Sequence, residues 1–335
     1  MTGNTDTLEV PARLGHIRGL RDYWARHTFR SDAPTPRAQT DRMLLDTLGL
    51  GLEQALTWLA RERPGYGAFE DWILATAGAP DPVAVARYHA WLDGVPPPPQ
   101  VQARLAAIDA MAPVLDAADL AQWERDGYVI LREAISRDEA AAIADLLWAL
   151  VDADPDAPAS WYGPRTNGIM IQHFQHPAMD VPRRSMRVHK AFAQLWGTAD
   201  LWALVDRLSF NPPERPGTRF PGPHLHWDAS LAPPIPFATQ GILYLTDTVA
   251  EQGAFQLVPG MHHGLADWLE GLDGRNPREE PLDHRAVPIA AGAGDLIIWR
   301  QDLPHGATPN RAARPRMAQY VTMYAPDLEP NPQWL

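Results

Sequence analysis

Through the first third of the chain, apolar residues return every three or four positions. Leu14, Ile17, Leu20 and Trp24 form one stripe, weakened by Gly15 and Gly19. Leu44, Leu48, Leu52, Leu56 and Leu59 form a second, and Pro64-Gly65 ends it. Shorter stripes follow at Phe69, Trp72 and Ile73, at Val85, Tyr88 and Leu92, and at Val101, Leu105 and Ile108. This is the helical period, so the pattern predicts helices from residue 12 to about 117. Pro96 to Pro99 interrupt it as a stiff, extended spacer. Amphipathic stripes must bury their apolar faces. The helices are therefore expected to pack on the rest of the chain, to cover a site, or to build a homodimer.

The texture changes near Asp119. Leu120 to Arg125 reads as helix and Gly127 to Leu131 as strand. Ser136 opens a helix running to Ala149, with Glu139 three positions on completing a capping box. From about residue 160 the chain alternates short strand candidates with Pro/Gly loops. The candidates are Gly241 to Leu245, Phe255 to Val258, Asp295 to Trp299 and Met317 to Tyr324. Such spacing predicts a β-sandwich or jelly roll. Ala266 to Arg285 is polar and proline-containing and reads as a long covering loop. There is no Gly-rich phosphate loop of the Walker or dinucleotide kind.

Composition narrows the function classes. The 335 residues suit one large domain with a smaller one. With no cysteine, thiolate metal sites, iron–sulfur clusters and thiol nucleophiles are excluded. A net charge of −12 argues against a nucleic-acid partner. No apolar run approaches the roughly 20 residues of a membrane span. The opening MTGNTDTLEV lacks a secretory pattern, so a cytoplasmic protein is expected. The 34 prolines fit ordered loops between short strands, and the 13 tryptophans fit large cores or aromatic cavity walls.

One constellation carries chemistry. In GPHLHWD, His226 and Asp228 are two apart, so on a strand end both face one side while Trp227 points away. His305 follows in DLPHGATPN. Two imidazoles and one carboxylate on a β scaffold make the facial triad that holds Fe(II) with open positions, which a 2-oxo acid and dioxygen can fill. Taken alone, His-x-Asp is also a common surface pair. Arg316 lies 11 residues beyond His305; on the next antiparallel strand its guanidinium would reach the same pocket and grip a distal carboxylate. Arg311 and Arg314 are alternatives.

From about Asp119 to Pro326 the chain resembles the phytanoyl-CoA dioxygenase family of Fe(II)/2-oxoglutarate oxygenases. The resemblance rests on WERDGYVILREAISRDEA, HLHWD, LYLTDTVAEQGAFQLVPGMHHG and GAGDLIIWRQDLPHGATPNRAARPRMAQY, in that order. It implies a mainly β fold with flanking helices, a double-stranded β-helix (jelly roll) at 118–335 preceded by a helical region at 1–117. It implies His226, Asp228 and His305 as iron ligands and Arg316 as the anchor of 2-oxoglutarate. Where relatives often carry serine two residues after the distal histidine, this chain has Ala307, and Thr308 is the nearest hydroxyl. Tyr244, on a strand that should line the barrel, is a further candidate for 2-oxoglutarate. The implied reaction uses O2, releases succinate and CO2, and hydroxylates an unactivated C–H bond of a small-molecule substrate. A carboxylate at Asp228 favours this over halogenation; desaturation, epoxidation and ring formation stay open.

Gln172, Trp227 and His189 are candidates for the substrate pocket. His262 is read as a loop residue. The basic run Arg183, Arg184, Arg187, His189 and Lys190 is read as a solvated face that could also meet an anionic substrate. Two other classes remain. One is a cupin-like isomerase or hydrolase using Zn or Mn without 2-oxoglutarate. The other is a catalytically silent jelly-roll binding protein.

Overall fold

The structure is a computed structural model, and its described residues are 13–30, 38–164, 168–217, 220–329, 331 and 333–335. The segment 1–10, inspected above for a signal, and residue 12 lie outside them. The chain divides into two compact units, Met1–Val101 and Gln102–Leu335.

The first unit is helical: α1 (Leu20–His27), α2 (Ala38–Thr47), α3 (Leu52–Glu62), α4 (Tyr66–Ala77) and α5 (Pro82–Leu92). Its buried positions include Leu20, Tyr23, Leu44, Leu48, Leu59, Phe69, Ile73 and Tyr88. Trp58 and Trp72 stack with ring centroids 4.5 Å apart. The leucine stripe from Leu44 to Leu59 is two helices, not one. Gly49 takes a left-handed φ of 72° between them, and Leu52 opens the second helix exposed. Pro99 starts α6 (Pro99–Ala110), where a proline lacks nothing the first turn needs.

The second unit combines helices with antiparallel sheets. In order it contains most of α6, then α7 (Ala117–Asp126), β1 (Tyr128–Leu131), α8 (Arg137–Val151), β2 (Met170–Ile171), α9 (Pro177–Arg184) and α10 (Met186–Trp196). Then come β3 (Trp202–Ala203), β4 (Leu208–Asn211), β5 (Thr239–Tyr244), β6 (Phe255–Leu257), α11 (Leu265–Glu270), β7 (Val287–Pro288) and β8 (Leu296–Arg300). Last are β9 (His305–Ala307), β10 (Arg316–Tyr320) and β11 (Met323–Tyr324). The six-stranded sheet runs β1-β8-β5-β10-β4-β2, and a three-stranded sheet runs β7-β6-β9. β3 pairs with β11.

The large sheet sorts its residues by the strand period of two. One face gives Val129, Leu131, Leu243, Leu296, Ile298 and Met317 to a core shared with Ile143 and Leu147 of α8 and Val188 and Phe192 of α10. The other face gives Ile242, Tyr244, Ile297, Trp299 and Ala318 to a second core with Phe255 and Leu257 of the small sheet. Helices thus back the large sheet, and its front meets the small one.

Two expectations change. The segment 266–285 is not a plain loop: it holds most of α11 and two single 3₁₀ turns, Pro277–Glu279 and Asp283–Arg285. The strand expected from Met317 to Tyr324 is broken into β10 and β11. The capping box is present. The Ser136 hydroxyl accepts from the Glu139 N–H at 3.2 Å, and a Glu139 carboxylate oxygen accepts from the Ser136 N–H at 2.8 Å. Replacing Ser136 by alanine should destabilise the protein by about 1 kcal/mol, read as a lower urea midpoint. An unchanged midpoint would show that the cap carries no stability.

Candidate metal centre

Among the described residues, His226, Asp228 and His305 bring one ligand atom each to within 4.8 Å of one another. They do so without a continuous strand at 226–228. His226 and His305 instead form an isolated antiparallel bridge. The His226 N–H donates to the His305 carbonyl at 2.9 Å, and the His305 N–H returns a bond to the His226 carbonyl at 3.0 Å. A doubly hydrogen-bonded pair sends both side chains to the same face. The two rings lie 4.7 Å apart. Gly306 makes the approach possible: a Cβ there would stand 2.6 Å from the His224 carbonyl oxygen and 2.9 Å from that of Pro223.

The ring nitrogens are already sorted. His226 Nδ1 lies 2.7 Å from the His224 carbonyl oxygen, and His305 Nδ1 lies 3.1 Å from that of Leu303. A carbonyl only accepts, so Nδ1 carries the proton in each neutral ring and Nε2 keeps its lone pair. Both Nε2 atoms face the Asp228 carboxylate, at 3.3 Å for His226 and 3.4 Å for His305. Wherever both rings are neutral, two lone pairs face the carboxylate, an arrangement that a cation between them stabilises. A metal about 2.1 Å from each donor sets neighbouring donors roughly 3 Å apart, close to what is seen. Two nitrogens and one oxygen match the donor set of a facial triad.

Electrostatics agree with this arrangement. Burial pushes the Asp228 carboxyl up, but contacts from His226, His305 and Gln240 outweigh it and hold it well below the usual carboxylate range. Burial opposes charge on His226, yet Asp228 and the His224 carbonyl raise it above the ordinary histidine value. His305 is buried, its ring against Trp299 at 5.1 Å and Phe255 at 6.0 Å. Asp228 is the open side, with half of its side chain exposed.

Arg316 is placed differently from the expectation. It is not on the strand next to His305. β9 pairs with β6 in the small sheet, whereas β10 lies between β4 and β5 in the large one. Arg316 is fully buried, and its Nε donates to the Gly253 carbonyl at 3.1 Å. Its Nη1 is buried with no hydrogen-bond partner, as is the Thr308 hydroxyl. No carboxylate pairs with Arg316 among the described residues, and a buried guanidinium left so is costly. Asn211, opposite Arg316 in register, ties the two sheets by donating to the carbonyls of Gly253 and Thr308. Arg311 and Arg314 are largely exposed, near Glu214 and Asp156.

Other candidates are spent elsewhere. The Tyr244 hydroxyl donates to the Ile289 carbonyl at 3.0 Å and accepts from the Phe255 N–H at 2.9 Å, so it has no proton left for a ligand. Burial pushes it up to about 12. Trp227 turns away from the triad, donating to the Asp302 carbonyl and packing on Trp268. His189 is buried on α10 and bonds the Ala199 carbonyl at 2.8 Å. Gln172 follows β2 and is exposed. In the basic run, Arg183 holds the Phe174 and Asp206 carbonyls, Arg187 those of Glu133 and Arg132, and Lys190 that of Asp109. His262 and His263 both reach the Glu124 carbonyl at the end of α7.

Two residues carry no sequence signal. Gln240 donates to Asp228 Oδ2 at 2.7 Å. Arg278, from the segment expected to be loop, donates to the carbonyls of Trp227 and Ala229 at 2.7 Å each, and clamps the turn that carries Asp228.

Residues 123–318, more than half of the chain, match the phytanoyl-CoA dioxygenase (PhyH) family. The chain belongs to that family, one of Fe(II)- and 2-oxoglutarate-dependent oxygenases. It is 24% identical over 242 residues to an ectoine dioxygenase of Sphingopyxis alaskensis, covering 63% of this chain and 76% of that one. A Dictyostelium discoideum protein assigned to the phytanoyl-CoA dioxygenases is 25% identical over 92 residues, a quarter of each chain. Solved structures with similarity include EctD from S. alaskensis with 2-oxoglutarate and 5-hydroxyectoine. It is 20% identical, at TM-score 0.46, over 64% of this chain and 81% of that one. The epimerase SnoN in complex with Fe3+, alpha ketoglutarate and nogalamycin RO is 18% identical, at TM-score 0.46, over 66% and 84%. No helix among the described residues is long and apolar enough to cross a membrane.

The bridge geometry makes a sharp prediction. Gly306→Ala must push the 223–226 segment away, so the protein should fold yet take up little iron when reconstituted with Fe(II), measured by elemental analysis. Wild-type iron content in that variant would contradict the account.

Proposed function

We propose that this chain is a non-haem Fe(II)- and 2-oxoglutarate-dependent dioxygenase that hydroxylates an unactivated C–H bond of a small molecule, releasing succinate and CO2. His226 Nε2, Asp228 and His305 Nε2 would hold the iron. Once bound, iron supplies the activation of O2 and the oxidative decarboxylation that amino-acid side chains cannot perform. The chain's residues bind and orient. Arg316 and the Thr308 hydroxyl would receive the distal carboxylate of 2-oxoglutarate, while Trp299, Phe255 and Tyr244 wall the buried side of the site. The half-exposed Asp228 side is left for substrate.

The observation that carries this reading is Arg316, a fully buried guanidinium with an unpartnered nitrogen and, among the described residues, no carboxylate paired with it. A cupin-like enzyme without a 2-oxo acid would leave that charge uncompensated, and so would a silent binding protein. We also propose that the two packed sheets belong to a double-stranded β-helix domain at residues 118–335, preceded by a helical N-terminal region at 1–117. A cytoplasmic location and no nucleic-acid partner belong to the same proposal; the net charge of −12 supports the latter.

Alanine at His226, Asp228 or His305 should abolish most Fe(II) binding and succinate formation. A folded His226→Ala protein with wild-type iron would refute the ligand set. Removing the arginine leaves a buried carboxylate unpaired, a cost of roughly 2–5 kcal/mol. Arg316→Ala should therefore raise the KM for 2-oxoglutarate by at least roughly tenfold. An unchanged KM would exclude this anchor.

A further inference from the structure

Gln240 belongs to no motif, yet its place in the sheet is tightly defined. It lies on β5, directly opposite Trp299 of β8. It shares the front face of the sheet with Ile242 and Tyr244 by the strand period. The two cross-strand neighbours address different ligands: the Trp299 ring packs on His305, and Gln240 Nε2 donates to Asp228 Oδ2 at 2.7 Å. The carboxylate can only accept, which fixes the amide with its nitrogen toward Asp228. The far oxygen, Oε1, is buried and has no partner.

Both carboxylate oxygens face an imidazole nitrogen, Oδ1 that of His226 at 3.3 Å and Oδ2 that of His305 at 3.4 Å. Either oxygen, or both, is therefore near a cation held between the rings. The difference matters because a facial triad leaves three positions open, and a chelating 2-oxo acid with dioxygen needs all three. A carboxylate binding through both oxygens would consume one.

We infer that Gln240 is a positioning residue that occupies Asp228 Oδ2, so that the aspartate binds metal through Oδ1 alone and three positions stay open. This inference rests on the metal-centre reading above. Gln240 touches neither 2-oxoglutarate nor the substrate in this role; it acts through Asp228.

The test uses Co(II) as a spectroscopic stand-in for Fe(II) in the 335-residue chain. Gln240→Met removes the donor at similar volume. Its Co(II) form should show altered visible absorption before any 2-oxoglutarate is added, and should bind 2-oxoglutarate roughly 10–100-fold more weakly. Thermal stability of the metal-free protein should match wild type, which separates positioning from a structural role. Should the methionine variant fail to fold, Gln240→Asn withdraws the amide by one methylene and should give the same two changes. Wild-type spectrum and wild-type 2-oxoglutarate affinity in either folded variant would overturn the role of Gln240. Failure of the unaltered protein to take up Co(II), or equal uptake by Asp228→Ala, would overturn the metal-centre reading itself and this inference with it.

Discussion

Two main-chain hydrogen bonds between His226 and His305 set the geometry on which everything else in the site depends. They are backbone bonds, so they fix the spacing of the imidazoles before any side chain is considered. Their reciprocal pattern puts both rings on one side. The missing side chain of Gly306 lets the two segments close. Asp228 needs no separate element: it arrives two residues after His226 and is steadied from outside by Arg278 and Gln240. One short bridge thus supplies three donors, and the larger scaffold serves to hold two distant stretches of chain together.

The two sheets divide the electrostatic labour. His305 comes from the small sheet, and the positive charge of Arg316 comes from the large one. The Asn211 amide crosses between them by bonding carbonyls that belong to the small sheet's flanks. The cost of burying an uncompensated guanidinium falls on the protein's stability, and a bound dianion would offset it. On the function proposed above, the same charge would favour a ligand whose carboxylate reaches that depth.

Much of this arrangement was legible in sequence, for identifiable reasons. The alternation that groups His226 with Asp228 and sets Trp227 apart needs only the period of a strand, and the turn keeps it although no strand forms there. Arg316 was singled out by an argument whose geometry the structure does not follow: β9 and β10 lie in different sheets, and the side chain bonds the Gly253 carbonyl. The exposure of Arg311 and Arg314, by contrast, has no mark in composition or spacing. Gln240 and Arg278 were silent because each acts by hydrogen bonds to a carboxylate or to main chain, which any polar residue type can make. The Leu44 to Leu59 stripe kept its phase through the turn at Gly49, so periodicity alone could not divide it. The six-residue α11 and the three-residue turns after it are too short to show a period at all.

His226 and His305 are separated by 79 positions, yet the bridge joins them directly. Closing a loop of that length costs roughly 4 kcal/mol of chain entropy before the bridge returns anything. The triad is consequently absent from any local fragment of the chain. A chain emerging from the ribosome has no such centre until the region beyond His305 has been made and the two sheets have met.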